Sequence, residues 1–217
     1  IMLLLHTGHA VAVPPRHLCC GYPLLAAGMD TEYEDNMAQN RQYLASMLRN
    51  LAKQGFDVRY LATACGSCRD SLARMKLNEQ FPQLEQKDVS QIVLPLLQHE
   101  SMEAPVAPGT SVLYHAACHC EWAGVPTLKG QSQLTGALEQ LCKVKVTTIP
   151  GCCGESGMGA VTSPTIYNLL RARKKERLAR AFEPQPQTGA CYAGPILVGC
   201  PSCKIGIARC LIQLKEK

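Results

Sequence analysis

An α/β fold built from two pseudo-repeated domains, each a parallel sheet flanked by helices, is predicted for this 217-residue chain by three observations. The tripeptide Cys-Cys-Gly occurs twice, each copy is followed after a similar gap by Cys-x-x-Cys, and the same order of strands and helices surrounds both pairs. The motifs are Cys19-Cys20-Gly21 with Cys65-Gly66-Ser67-Cys68, and Cys152-Cys153-Gly154 with Cys200-Pro201-Ser202-Cys203. Residues 22–64 separate the first pair and residues 155–199 the second. A repeat this long marks a duplicated domain, because solenoid repeats run about 20–50 residues.

The elements follow in order. In the first copy, the short apolar run of residues 10–14 predicts a strand running into the loop of Cys19. A helix is expected over 31–54, opened by a capping box from Thr31 to Glu34 and closed by Gly55. A strand over 58–62 then leads directly into Cys65, where a second helix over 67–79 begins. In the second copy, β-branched alternation predicts a strand over 143–149. The helix over 164–182 takes Ser163 as N-cap and Pro164 at its first position, with Ile166, Leu169 and Leu170 as its apolar side. A strand over 195–198 and a helix over 202–214 complete the copy, and a further strand over 111–115 leads to Cys118. The Pro/Gly/Ala-rich stretch 103–110 is read as the linker, giving domains 1–104 and 105–217. Strands alternating with helices favour parallel pairing and right-handed crossovers in a Rossmann-like order. Sites in such sheets gather beyond the carboxyl ends of the strands, and both thiol motifs fall there.

Composition removes several classes of function. Apolar residues at 47 % against 18 % charged exclude a disordered chain. The excess of 22 Lys and Arg over 17 Asp and Glu is mild and without long runs, and aromatics are only 5 %, so a nucleic-acid partner is not expected. The apolar start, residues 1–5, is far too short for a membrane span and lacks the flanks of a signal peptide. Thirteen cysteines are an odd number, and a chain this long needs no stapling, so the thiols are expected to be reduced or metal-bound. Projected onto the first copy, the spacing from Cys118 to Cys152 falls before Ile1, and the sequence therefore reads as a fragment whose first copy lacks its opening.

Cys-x-x-Cys alone has three readings: a redox disulfide, a zinc site or part of an iron–sulfur site. A redox pair leaves the registered Cys-Cys-Gly unexplained. A closed zinc site takes four ligands, which Cys19, Cys20, Cys65 and Cys68 would supply, whereas the second copy offers a fifth in Cys118 beside Cys152, Cys153, Cys200 and Cys203. Adjacent thiolates suit a multi-metal group better than one tetrahedral ion, so iron–sulfur is preferred and zinc kept as the alternative. Each Cys-x-x-Cys also opens a helix, whose dipole favours thiolate over thiol.

These paired motifs, with Tyr114-His115-Ala116-Ala117-Cys118-His119 ahead of the second, resemble the CCG or cysteine-rich domain. That domain occurs twice in one of the subunits of heterodisulfide reductase and in the iron–sulfur subunits of glycolate oxidase, lactate utilization and anaerobic glycerol-3-phosphate dehydrogenase. Cys152-Cys153-Gly154-Glu155-Ser156-Gly157, Arg171-Ala172-Arg173-Lys174-Lys175-Glu176 and Cys200-Pro201-Ser202-Cys203 look closest to the C-terminal iron–sulfur region of fused FAD-linked oxidases, relatives of D-lactate dehydrogenase. The resemblance implies an electron-transfer module with [4Fe-4S] clusters, of the noncubane type in heterodisulfide reductase. FAD would lie in an associated 2-hydroxy-acid dehydrogenase module, a downstream acceptor would take the electrons, and the setting would be cytoplasmic, with any membrane association made through partners. The implied ligands are Cys118, Cys152, Cys153, Cys200 and Cys203 in the second copy and Cys19, Cys20, Cys65 and Cys68 in the first. Ala116-Ala117 stands where the family usually has Asp-Pro.

Other residues have plainer readings. Cys142 and Cys210 lie in apolar helical stretches and are read as core residues, Cys191 as incidental, and Cys120 stays open. His115 and His119 are assigned packing or support of the ligands rather than ligation. Glu155 and Ser156 are candidates for hydrogen bonds to cluster sulfur. The basic run 171–180 is read as a solvated helix face, its sharper alternative being a dock for an acidic partner or the flavin module. The competing class of function is a zinc-bound or metal-free domain that only holds subunits together.

Overall fold

The computed structural model describes residues 1–15, 17–97, 107, 109–119, 122–155, 159–184 and 191–215. The chain divides into two compact units, Ile1–Glu100 with Glu121–Gly124, and Ser101–Cys120 with Val125–Lys217. The short segment of the first unit is tied in by side chains of the helix after Asp88: Trp122 Nε1 donates to Ser90 Oγ at 2.8 Å, and the Gln91 amide bonds both backbone groups of Ala123. The linker predicted over 103–110 lies mostly outside the described residues.

The first unit contains helices α1 (Met2–His6), α2 (Tyr22–Ala26), α3 (Asp30–Lys53), α4 (Gly66–Ala73) and α5 (Val89–Leu97), with strands β1 (Tyr60–Thr63) and β2 (Glu85–Asp88). The two strands pair in parallel, Tyr60 opposite Glu85 and Thr63 opposite Asp88. Helix α3 buries Tyr33, Met37, Leu44 and Ala45 against Met75, Leu77 and Leu84, and that cluster is the core of the unit. Gly55, at φ +86°, ends α3 with a Schellman pair, Phe56 N–H to Leu51 O and Gly55 N–H to Ala52 O, each 3.0 Å.

Three expectations are corrected in this unit. Residues 10–13 form no strand: in the second unit the equivalent strand pairs with the one before Cys118, and among the described residues nothing plays that part here. The capping box is not formed, because α3 starts one residue earlier with Met29 as N-cap and Thr31 already inside the helix. The helix after Cys65 ends at Ala73, where Lys76 turns into the left-handed region (φ +51°) and a short 3₁₀ turn, Leu77–Glu79, follows.

The second unit contains strands β3 (Ser111–His115), β4 (Lys145–Ile149) and β5 (Ile196–Val198), with helices α6 (Thr127–Cys142), α7 (Gly159–Thr162), α8 (Pro164–Phe182) and α9 (Pro201–Lys215). The sheet is parallel throughout in the order β4-β3-β5. His115 is the register partner of both Ile149 and Val198, so all three strands end abreast. Leu113 and Ile149 of the sheet pack on Leu178 of α8 and on Ile207 and Cys210 of α9, which confirms Cys210 as a core residue. No helix among the described residues is long and apolar enough to cross a membrane.

The inward face of α8 also differs from the expected one. Ile166 and Leu169 are 61 % and 50 % exposed, whereas Tyr167, Lys174 and Leu178 are buried. The spacing of Tyr167, Arg171, Lys174 and Leu178 is one stripe at helical period, so the run 171–180 is not wholly a solvated face.

Candidate metal centre

Because the three strand ends of the second unit lie abreast, the loops that leave them start from one edge of the sheet. Cys118 follows β3, Cys152 and Cys153 follow β4, and Cys200 follows β5, with Cys203 one turn into α9. All five predicted thiols join in one chain of hydrogen bonds, Cys118 to Cys152 to Cys153 to Cys203 to Cys200. The sulfurs of Cys153 and Cys203 and a ring nitrogen of His115 lie within 4.8 Å of one another, all three residues being buried. Two sulfurs on one tetrahedral ion with bonds of about 2.3 Å sit roughly 3.8 Å apart, so this spacing suits a shared metal.

Hydrogen bonding sorts the thiols electrically. Cys152 is held far below the ordinary thiol range by its bonds from Cys118 and then Cys153, with the Gly154 N–H adding a third at 3.4 Å. Cys153 is pushed up to about 11 by its bond to Cys152, partly offset by Cys203 and by the N–H of Glu155. Cys118 is raised by its bond to Cys152, and Cys203 by its bonds to Cys153 and Cys200. One sulfur of the set thus becomes thiolate first, and the others are hydrogen-bond donors to it or to one another.

The turn that presents these sulfurs depends on Gly154, whose φ of +73° lies in the left-handed region. A Cβ there would also stand 2.9 Å from the Arg171 backbone nitrogen, so glycine lets α8 approach the turn. Gly21 repeats the device at φ +75°, against Tyr33 and Asn36 of α3.

The first unit gathers three of its four predicted thiols. Cys20 and Cys65 both hydrogen bond Cys68, and Cys65 is the N-cap residue of α4. Cys20 falls to about 7, chiefly through the Cys68 bond, with the Tyr22 N–H helping and burial opposing. Cys68 is raised by the same two bonds. Cys19 is exposed, and it is its carbonyl that is held, by Asn36 Nδ2 at 3.1 Å and Asn40 Nδ2 at 2.7 Å. Among the described residues its sulfur shares no bond with the other three.

Glu155, predicted to serve cluster sulfur, reaches the Cys153 thiol through its N–H. Its carboxylate accepts from Tyr167 OH at 2.8 Å, Arg171 at 3.4 Å and Arg209 at 2.7 Å. Ser156 and Cys120 lie outside the described residues. Cys142 is half-buried and Cys191 exposed, and neither joins a thiol set. Glu155→Ala should cost about 2 kcal/mol: Glu155 and Arg171 are partly buried, between the roughly 0–1 of an exposed pair and the 3–5 of a buried one left unpaired. Urea unfolding checks this, and an unchanged midpoint would show the network to be ornamental.

Three positions escaped the sequence reading. Tyr33 and Tyr167 sit alike on the helix after each Cys-Cys-Gly; Tyr33 OH meets Ser71 Oγ at 3.2 Å, and Tyr167 OH meets Glu155. Ser71 and Gly206 each stand three residues after the last cysteine of the Cys-x-x-Cys. The Ser71 hydroxyl donates to the Cys20 carbonyl, and Gly206 lies against the Cys153 carbonyl. Overlaying the two copies residue by residue would have exposed both pairs. The third position is Lys174, fully buried, with Nζ 3.0 Å from His115 Nδ1 and 2.8 Å from the Pro150 carbonyl.

A fold of duplicated strand–cysteine–helix units with converging thiols defines a cysteine-rich class of domain with a candidate metal centre. The chain belongs to the CCG cysteine-rich domain family, whose model matches residues 2–73 and again residues 112–208. No curated protein and no solved structure matches it.

Proposed function

We propose that the chain is the iron–sulfur electron-transfer module of an FAD-linked 2-hydroxy-acid oxidoreductase, of the lactate or glycolate type. The observation that carries the reading is the unbroken chain of five thiols at one sheet edge, which outnumbers the ligands of a single tetrahedral ion. The donor set fits such a group: soft sulfurs, backbone N–H groups of Gly154 and Glu155 directed at two of them, and the N-terminal turn of α9. Cys118, Cys152, Cys153, Cys200 and Cys203 would hold one [4Fe-4S] cluster, noncubane by likeness to heterodisulfide reductase, and Cys20, Cys65 and Cys68, with Cys19, a second. A cluster when bound supplies one-electron redox capacity; the protein's part is to fix the sulfurs, lower their protonation and shield them. Partners in this reading are a flavin dehydrogenase module, fused or separate, and a downstream acceptor, in the cytoplasm or at a membrane through those partners. The domains are taken as 1–104 and 105–217.

A zinc-binding interaction domain is the second reading, favoured by His115 beside Cys153 and Cys203, a Cys/His set that zinc accepts. Anaerobic isolation followed by iron, acid-labile sulfide and zinc analysis separates them. Iron and sulfide in near-equal amounts, with visible absorption that bleaches on reduction, are expected. Zinc without sulfide would defeat the electron-transfer reading.

A further inference from the structure

Lys174 is an ammonium at 0 % exposure, projecting from α8 to the carbonyls of Pro150 at 2.8 Å and Ile149 at 3.4 Å and to His115 Nδ1 at 3.0 Å. Among the described residues no carboxylate pairs with it; the Arg177 guanidinium, which shares the Pro150 carbonyl at 2.9 Å, opposes its charge, and the groups that favour it are the sulfurs of Cys153, Cys203 and Cys152, of which Cys152 is the first to become thiolate. A buried charge without a partner is among the costlier features a fold can carry. The sheet edge beside it, however, is where thiolates collect, and any ion or cluster held by four thiolates is a net anion.

The first unit shows that hydrogen bonding alone does not call for this charge. Asn40 stands seven residues after Tyr33, as Lys174 does after Tyr167, and it too is buried. Its neutral amide ties down the Cys-Cys-Gly turn by donating to the Cys19 carbonyl at 2.7 Å. At the matching place on the helix, the first unit thus holds its Cys-Cys-Gly turn with a neutral amide, and the second holds the Pro150 carbonyl just ahead of that turn with a cation.

We propose that Lys174 is the fixed positive charge of the second cysteine site, stabilising the metal–thiolate group there and holding His115 in a single tautomer. The inference rests on the metal-site reading of the five cysteines. An ammonium has only donors, so Nδ1 of His115 must accept; a proton on Nδ1 would face the cation at 3.0 Å. The ring proton then sits on Nε2, a fully buried atom with no partner in the described structure. The Nδ1 lone pair is thereby committed to Lys174, while a nitrogen of the same ring lies within 4.8 Å of the Cys153 and Cys203 sulfurs. Lys174 is a positioning residue: it touches no sulfur and acts through its charge and through the imidazole.

The test compares the full-length chain with Lys174→Gln, which keeps an amide donor and loses the charge, and Lys174→Met, which loses both. A Cys65→Ser/Cys68→Ser background silences the first site. Titration of the reduced, metal-free protein with Co²⁺, read by thiolate-to-cobalt charge-transfer absorption, should show at least tenfold weaker binding in both variants. After iron and sulfide reconstitution, the midpoint potential should fall by about 59 mV or more, a tenfold change for a one-electron couple. A Gln variant that binds Co²⁺ and titrates like the parent would overturn the proposal, since hydrogen bonding would then suffice. Circular dichroism confirms folding, and if the Met variant does not fold the Gln variant decides. A parent that takes up Co²⁺ but no iron or sulfide defeats the electron-transfer function while leaving the Lys174 comparison intact; a parent that binds no Co²⁺ overturns both.

Discussion

Cys153→Ser should abolish metal binding at the second site while leaving the protein folded. Cys153 is the middle of the thiol chain, bonded to Cys152 on one side and Cys203 on the other, and it is 4 % exposed. Serine is nearly isosteric, and its hydroxyl can take over the Glu155 N–H and the neighbouring thiols, so the substitution leaves no unpaired polar group. A neutral hydroxyl is nevertheless a hard, weak ligand where a soft thiolate is needed. Metal content should fall by one site's share, together with that site's thiolate-to-metal absorption, and far-UV circular dichroism should stay the same. Cys210→Ser provides the opposite pattern. Cys210 is wholly buried between α8 and α9 but outside the thiol chain, so serine there should cost about 1–3 kcal/mol as a polar group in the core while metal content is retained. A Cys153→Ser protein with full metal content would remove Cys153 from the ligand set, and with it the reason for the close turn around Gly154.

What could be read from the residues depended on whether the deciding interaction was local. β3 and α8 fall on the predicted residues because Ser111–His115 carries its own apolar signal and Ser163-Pro164 fixes where the helix opens. The convergence of five thiols followed from parallel connectivity, which places every strand's carboxyl end on one edge. β2 was missed because Glu85, Gln86, Lys87 and Asp88 look like a polar turn; only pairing with β1 makes them a strand. Residues 10–13 failed in the opposite sense, with strand composition and, among the described residues, no neighbouring strand to pair with. Lys174 was hidden by company: inside Arg171-Ala172-Arg173-Lys174-Lys175 composition says solvent, and only the phase shared with Tyr167 and Leu178 says core. Cys19 and Cys152 are equals in sequence register, yet Cys152 is half-buried in a thiol chain and Cys19 is exposed. That difference comes from what packs over each turn, and no spacing rule contains it.

The packing over the second turn makes Gly206→Val the other large expected effect. Gly206 lies on α9 three residues after Cys203, hence on the same face, and a Cβ at its position would stand 2.9 Å from the Cys153 carbonyl oxygen, 3.0 Å from Glu155 Cβ and 3.1 Å from Cys153 Cβ. The Cys-Cys-Gly turn cannot retreat. It is pressed against the Arg171 backbone at Gly154, and the Glu155 carboxylate anchors it to Arg171, Arg209 and Tyr167. The helix must therefore give way, carrying Cys203 away from Cys153. Overpacking of this kind costs about 1–3 kcal/mol, and valine, branched at Cβ, belongs at the upper end despite the better helix propensity of any residue over glycine. Unfolding in urea should show that loss, and Co²⁺ affinity at the second site should drop with it, because two ligands separate. The first unit supplies the contrast: Ser71, at the matching place on α4, has room for its side chain and uses it to hydrogen bond the Cys20 carbonyl. Ser71→Gly should accordingly weaken the first unit by losing a bond, whereas Gly206 is needed for having nothing there to lose. A Gly206→Val protein with unaltered stability and Co²⁺ affinity would mean that α9 does not owe the Cys203–Cys153 contact to this close approach.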